Sequence, residues 1–239
     1  MILDLHQHGG AAILGGALII TSIVGSYAFY AARSDSTLST TGSAKERVKA
    51  DTAKWTIRLE RVVSDAAIGS TYSLVAADAQ KVKKFLTDND IAAGAIALSP
   101  ISVDEYYSGI NDGIRRVALR QNVTVTSSDV DRINTMSQNT VVLAQRGVAF
   151  SPDMPEFYVS NLPELRVKLL GAAIQDAKKR ADEIASAMGQ SVGRMKSASS
   201  GVVQVLTPNS IEVADYGQYD TTSIEKDVMV TARGMFNLR

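Results

Sequence analysis

From residue 11 to residue 31 the chain reads AAILGGALIITSIVGSYAFYA, without one charged side chain. A helix over that run, rising about 1.5 Å per residue, is about 31 Å long, enough to cross a hydrocarbon core of about 30 Å. One membrane helix is therefore expected over 11–32, preceded by a tail at 1–10 and contacting lipid through 11–31. The run is longer than the roughly 7 to 15 apolar residues of a cleaved leader, and the preceding MILDLHQHGG has no Lys or Arg, so a retained anchor is expected. Ser26-Tyr27-Ala28 holds the small residues that the cleaved alternative requires. Gly15, Gly16 and Gly25 leave small faces on this helix and are its candidate packing positions. Charge flanks argue about direction: Arg33, Lys45, Arg47 and Lys49 follow the run, nothing basic precedes it, and the positive-inside rule places the larger part of the chain in the cytoplasm.

Past the run, residues 33–40 are rich in Ser and Thr and read as a linker into a domain at 41–239. Ala53, Trp55, Ile57 and Leu59 alternate with Lys54, Thr56, Arg58 and Glu60, the period of a half-buried strand, with Trp55 in the core. Between Ser70 and Asp88 the spacing becomes helical, with Tyr72, Val75, Ala79, Val82 and Leu86 on one stripe and Asp78, Lys81 and Lys84 turned elsewhere. Strand-like runs follow near 95–107 and 117–126, joined by the turn residues Asn111-Asp112-Gly113. A second helix is expected from Ser128, with Asp131 at its start, through Ile133, Met136, Thr140 and Ala144 to Gly147. Ser151 to Pro155 interrupts regular structure ahead of a strand at 157–160. The longest helix runs from Asn161 to a Gly189 stop on a stripe of Leu162, Leu165, Leu169, Ala173, Ala177, Ile184 and Met188. Two β segments, 191–206 and 224–238, close the chain around a segment that Pro208, Asn209 and Gly217 keep out of continuous strand. This order predicts an α+β domain, its helices laid on a largely antiparallel sheet.

Charge and composition narrow the chemistry. Lys+Arg and Asp+Glu both count 25, so no basic excess points to nucleic acid. Cysteine is absent, and the only histidines, His6 and His8, precede the apolar run, which leaves the domain without the parts of a His triad, a thiolate site or a multi-histidine metal centre. No cofactor or metal is expected. Asp104-Glu105 are strand neighbours that point to opposite faces rather than across a cleft. No catalytic residues are assigned.

Several segments resemble the SIMPL-domain, or YggE-like, family, which includes periplasmic immunogenic proteins of bacteria. Thr41-Gly42-Ser43-Ala44 with Lys49-Ala50-Asp51-Thr52-Ala53 is similar to that family's opening pair of strands, with Ala50 where proline is usual. Gln121 to Val125 and the segment DAKKRADEIA at 176–185 continue the likeness, and residues 207–227 resemble a membrane-anchored branch. The resemblance implies a SIMPL-like domain in the periplasm or outside the cell, held at the cytoplasmic membrane, forming ring- or cage-like homo-oligomers linked to oxidative and envelope stress, with no catalytic residues. On orientation it opposes the charge flanks.

Within Asp215-Tyr216-Gly217-Gln218-Tyr219-Asp220, two tyrosines and two carboxylates share six positions around a glycine. Tyrosine gives large contact area for little entropy, so Asp215, Tyr216, Tyr219 and Asp220 form the candidate oligomer or partner interface. Two readings follow: a self-assembling structural protein, or a module that binds an envelope ligand or partner without obligate assembly.

Overall fold

A computed structural model describes residues 9–33, 36–107, 114–210 and 216–239, with side chains in the first helix described for 13–29. Helix α1 spans Gly9–Arg33. It coincides with the apolar run, and its apolar side chains, among them Leu18, Ile19, Ile20 and Ile23, stand exposed. Among the described residues no helix is long and apolar enough to cross a membrane. The helix expected at 11–32 is thus present, while a crossing is not established by it.

By internal contacts the chain divides into two units. One comprises Lys45–Leu169 and Val202–Val230. Its centre is β2 (Thr52–Ser64), where alternation buries Ala53, Trp55, Ile57 and Leu59. Strand β5 (Arg116–Ser127) runs antiparallel beside β2 from Ala53↔Ser127 to Ser64↔Arg116. On the far side of β5 lie β3 (Ile96–Leu98) and β4 (Ser102–Tyr106), also antiparallel. On the far side of β2 lie β6 (Phe150–Pro152) and β7 (Glu156–Tyr158), antiparallel again. Because every pairing is antiparallel, one face can be covered and the other left polar.

Covering falls to α2 (Ile68–Asp88), which contacts β2 and β5, and to α3 (Val130–Gln138), which contacts β2. Val75, Ala79, Val82 and Leu86 of α2 meet Ile133, Met136, Val123 and Val125 in one apolar cluster with Trp55. The Trp55 Nε1–H donates to the carbonyl of Asp153 at 3.0 Å, so the indole is buried without an orphaned donor. On the open face the charges pair across strands: Arg120 with Glu60 and Asp104, Arg58 with Asp153, and Lys54 with Glu156.

The other unit comprises Met1–Ala44, Leu170–Gly201 and Thr231–Arg239. Strands β1 (Thr37–Lys49), β8 (Val192–Leu206) and β9 (Glu225–Leu238) form a three-stranded sheet in the order β1-β9-β8. Helix α5 (Leu162–Ala187) buries Ala173, Ala177, Ala181 and Ala185 at a four-residue interval. That small stripe allows a close approach: a Cβ on Gly42 would run into the backbone of Ala173 and Ala177. The Thr40 hydroxyl donates to the Ala177 carbonyl at 2.7 Å, and the Ser43 N–H donates to the Asp176 carboxylate at 2.9 Å.

Four expectations change. Part of the expected linker, from Thr37, is the start of β1, since small polar residues gain in a ladder with β9 the bonds that a linker leaves to water. The single helix expected at 128–147 is two, α3 and α4 (Val141–Gln145), with Asp129 rather than Ser128 capping the first by accepting from the Arg132 N–H. Ser151-Pro152 lies in β6 rather than in irregular chain. The α5 stripe continues through Ala181 and Ala185, whereas Ile184 and Met188 are exposed. The turn expected at Asn111-Asp112-Gly113 lies outside the described residues.

Candidate functional site

The segment 216–223 is held by its backbone first. The Val205 N–H donates to the Gln218 carbonyl at 2.7 Å and the Asp220 N–H to the Val205 carbonyl at 2.8 Å, a parallel bridge at Val205↔Tyr219. The Phe157 N–H then donates to the Thr221 carbonyl at 2.7 Å. Gly217 takes φ +80, a conformation that glycine adopts without strain, and lets the chain turn between the two tyrosines.

The four candidate residues separate on this frame. Asp215 lies outside the described residues. Tyr216 is 98 % exposed. Tyr219 is partly exposed but points its hydroxyl inward, where it accepts from the Val159 N–H at 2.9 Å; its ring is 5.9 Å from that of Tyr158, and Lys226 Nζ sits 5.9 Å from its centroid. Asp220 accepts from the Thr222 N–H at 3.0 Å, the Thr222 hydroxyl at 2.7 Å, the Ser223 N–H at 3.1 Å and the Ser223 hydroxyl. Burial opposes its charge, but the hydrogen bonds from Ser223 and Thr222 prevail and hold its carboxyl well below the usual carboxylate range.

Beneath this turn lies Lys226, with 0 % of its surface exposed. Its ammonium donates to the Asp220 carbonyl at 2.5 Å and lies 3.4 Å from the Asp220 carboxylate. Burial pushes the Lys226 pKa down, and Asp220 pulls it partly back. The neighbouring Asp227 accepts from Arg47 at 2.8 Å, from Lys45 at 3.1 Å and from the Asn209 N–H at 3.0 Å. The Arg47 hydrogen bond is foremost in holding its carboxyl well below the ordinary range. These groups brace the chain around the turn that presents Tyr216.

A second buried charge escaped the sequence reading. Asp78, placed there off the apolar stripe of α2, is only 2 % exposed. Arg61 reaches its carboxylate at 2.6 Å and Lys81 at 3.3 Å, and Lys81 also donates to the Arg146 carbonyl at 3.1 Å. The signal was present in the spacing: Thr71, Val75, Asp78, Val82 and Phe85 recur every three or four residues and all are buried. An open groove of about 480 Å³ lies between Asp90, Ile91, Thr126, Ser127, Asp129 and Arg132. Its charges answer each other, Arg132 bonding both Asp129 and Asp90 at 2.9 Å. Gly15, Gly16 and Gly25 have nothing of the chain within 4 Å of where a Cβ would sit, so α1 keeps three open small positions.

A small α+β protein with a helix ahead of it, whose buried ion pairs brace turns and strands, is the class that this geometry defines. The SIMPL family model, described as a protein of unknown function (DUF541), matches residues 38–233, and the chain belongs to that family. No curated protein matches it.

Proposed function

We propose that this chain is a single-pass, membrane-anchored SIMPL protein whose domain lies outside the cytoplasmic membrane and assembles with copies of itself into a ring or cage, serving envelope or oxidative-stress defence without catalysis. The observation that carries this reading is α1. Ile13, Leu14, Leu18, Ile19, Ile20, Ile23 and Val24 project from it exposed, within a run of the sequence that carries no charge. Apolar surface of that extent is stable in lipid or against other copies of the helix, and costly in water. Gly15, Gly16 and Gly25 permit helices to approach closely in lipid. Anchoring also confines the domains to a plane, which raises their effective concentration and favours assembly of weak contacts.

The outward orientation follows the family resemblance against Arg33, Lys45, Arg47 and Lys49; a long translocated domain is the case in which that charge rule is weakest. Light scattering of the full chain solubilised in mild detergent tests assembly: several copies per particle are expected, and a monodisperse monomer refutes it. Protease added to intact and to permeabilised cells tests direction, with digestion expected once the outer envelope alone is opened.

Tyr216 supports a second reading, a module that binds an envelope ligand or partner without obligate assembly, because a tyrosine 98 % exposed on a braced turn is a contact residue in waiting. Tyr216→Ala separates the two readings. A change in particle size assigns the residue to assembly, and an unchanged size with loss of a crosslinked partner assigns it to binding.

A further inference from the structure

Tyr158 at the end of β7 and Tyr219 on the segment 216–223 bring their rings to 5.9 Å between centroids, tilted by 38°. Backbone bonds hold them there: the Phe157 N–H donates to the Thr221 carbonyl at 2.7 Å, the Val159 N–H donates to the Tyr219 hydroxyl at 2.9 Å, and Tyr219 bridges Val205. Glu156 stands two residues before Tyr158 on the same face of β7, and the Tyr158 hydroxyl donates to its carboxylate at 3.0 Å. Burial foremost, and that carboxylate after it, push the Tyr158 phenol up from its ordinary value, so its proton stays on at neutral pH and must leave together with any electron. A carboxylate within hydrogen-bond reach is the acceptor that such a transfer needs. Tyr219 is 38 % exposed, which opens the pair to small reagents in solution. The Lys226 ammonium, 5.9 Å from the Tyr219 centroid, opposes positive charge on that ring, so the first electron leaves Tyr158. The chain has no cysteine to take up the oxidation, and Trp55, its one tryptophan, is fully buried.

We infer that Tyr158 and Tyr219 are an oxidation site that joins its two rings into a dityrosine when the protein meets a small one-electron oxidant, with Glu156 taking the Tyr158 proton. Two equivalents of oxidant each accept one electron, and each phenol loses one proton, that of Tyr158 to Glu156 and that of Tyr219 to water. The two phenoxyl radicals then pair their electrons in one C–C bond between ring carbons ortho to the hydroxyls. The two hydrogens displaced from those carbons move to the oxygens and restore both phenols. The sum is two phenols giving one biphenol, two protons and two electrons. Neighbouring rings favour this coupling because the second radical forms beside the first instead of having to find it by diffusion. The bond ties β7 to the segment 216–223 within one chain and fastens the turn that carries Tyr216. This does not rest on self-assembly, since both rings and the carboxylate belong to the unit of Lys45–Leu169 and Val202–Val230.

Full-length protein in mild detergent, illuminated briefly with a ruthenium tris-bipyridyl complex and persulfate as the source of one-electron oxidant, should develop the blue fluorescence of a biphenol. Peptide mapping should find the peptides of Tyr158 and Tyr219 joined with the loss of two hydrogens. Tyr158→Phe and Tyr219→Phe should each abolish that joined pair, and Tyr216→Phe should leave it. Glu156→Gln, which still accepts the hydrogen bond but does not readily take a proton, should slow its formation several-fold. Far-ultraviolet circular dichroism matching the parent shows that each variant is folded. Mapping that joins Tyr216 or another exposed tyrosine between chains, without the pair of Tyr158 and Tyr219, overturns the assignment. So does a pair that forms equally fast in the urea-unfolded chain, since proximity in the fold would then contribute nothing. An unchanged rate in Glu156→Gln overturns the role of the carboxylate.

Discussion

Strands β2 and β8 are of similar length and answer to different demands. β2 lies between neighbours on both sides, and its Trp55, Ile57 and Leu59 are buried while alternate residues carry the charge ladder of the open face. β8 pairs with β9 and at Val205 also with the segment 218–220, and its residues 194–200 are exposed. Where burial dictates the strand, the sequence announces it by period. Where burial is lifted, as at residues 194–200, no such period marks the strand.

Truncation should expose that difference most sharply. Trp55→Ala leaves a cavity at the centre of the apolar cluster and removes a donor from Asp153, and should cost about 3–5 kcal/mol in denaturant unfolding of the solubilised chain. Asp78→Ala leaves Arg61 facing a buried site without its counter-charge and should cost about 3 kcal/mol, with Asp78→Asn recovering part of it because the hydrogen bonds survive.

Acid should act next, through Asp220 and Asp227. Both carboxyls are held below their unfolded values, so each contributes stability that is fully present above the unfolded carboxylate pKa near 4 and is lost as pH falls through the folded value. Unfolding midpoints measured from pH 6 down to pH 2 should fall below about pH 4, and Asp227→Asn should flatten the fall while lowering stability at neutral pH. Tyr219→Phe removes the acceptor for the Val159 N–H and should cost about 1 kcal/mol, read by the same unfolding curves. Met195→Ala on the exposed half of β8 should change monomer stability by less than about 0.5 kcal/mol.

Legibility in the sequence followed the same division. β2 was readable because Ala53 to Glu60 alternates without a break, and α5 because Glu164 opens it and Gly189, at φ +70, stops it. The start of β1 was not, because residues 37–44 owe their strand to β9 nearly two hundred positions away, a pairing that local composition does not encode. Asp78 was hidden by the habit of placing carboxylates outside: its spacing with Val75 and Val82 pointed inward, but only Arg61 and Lys81 make that tolerable. In the 215–220 segment the aromatic pair was visible and its division of labour was not, since the inward turn of Tyr219 depends on Val159 and Tyr158.

Hydrogen exchange on the full chain in detergent bears most directly on the contrast between the two strands. The amides of β2, buried between neighbours on both sides, should exchange slowly, and those of residues 194–200 in the exposed part of β8 should exchange faster. Protection at 194–200 equal to that of β2 would contradict the account.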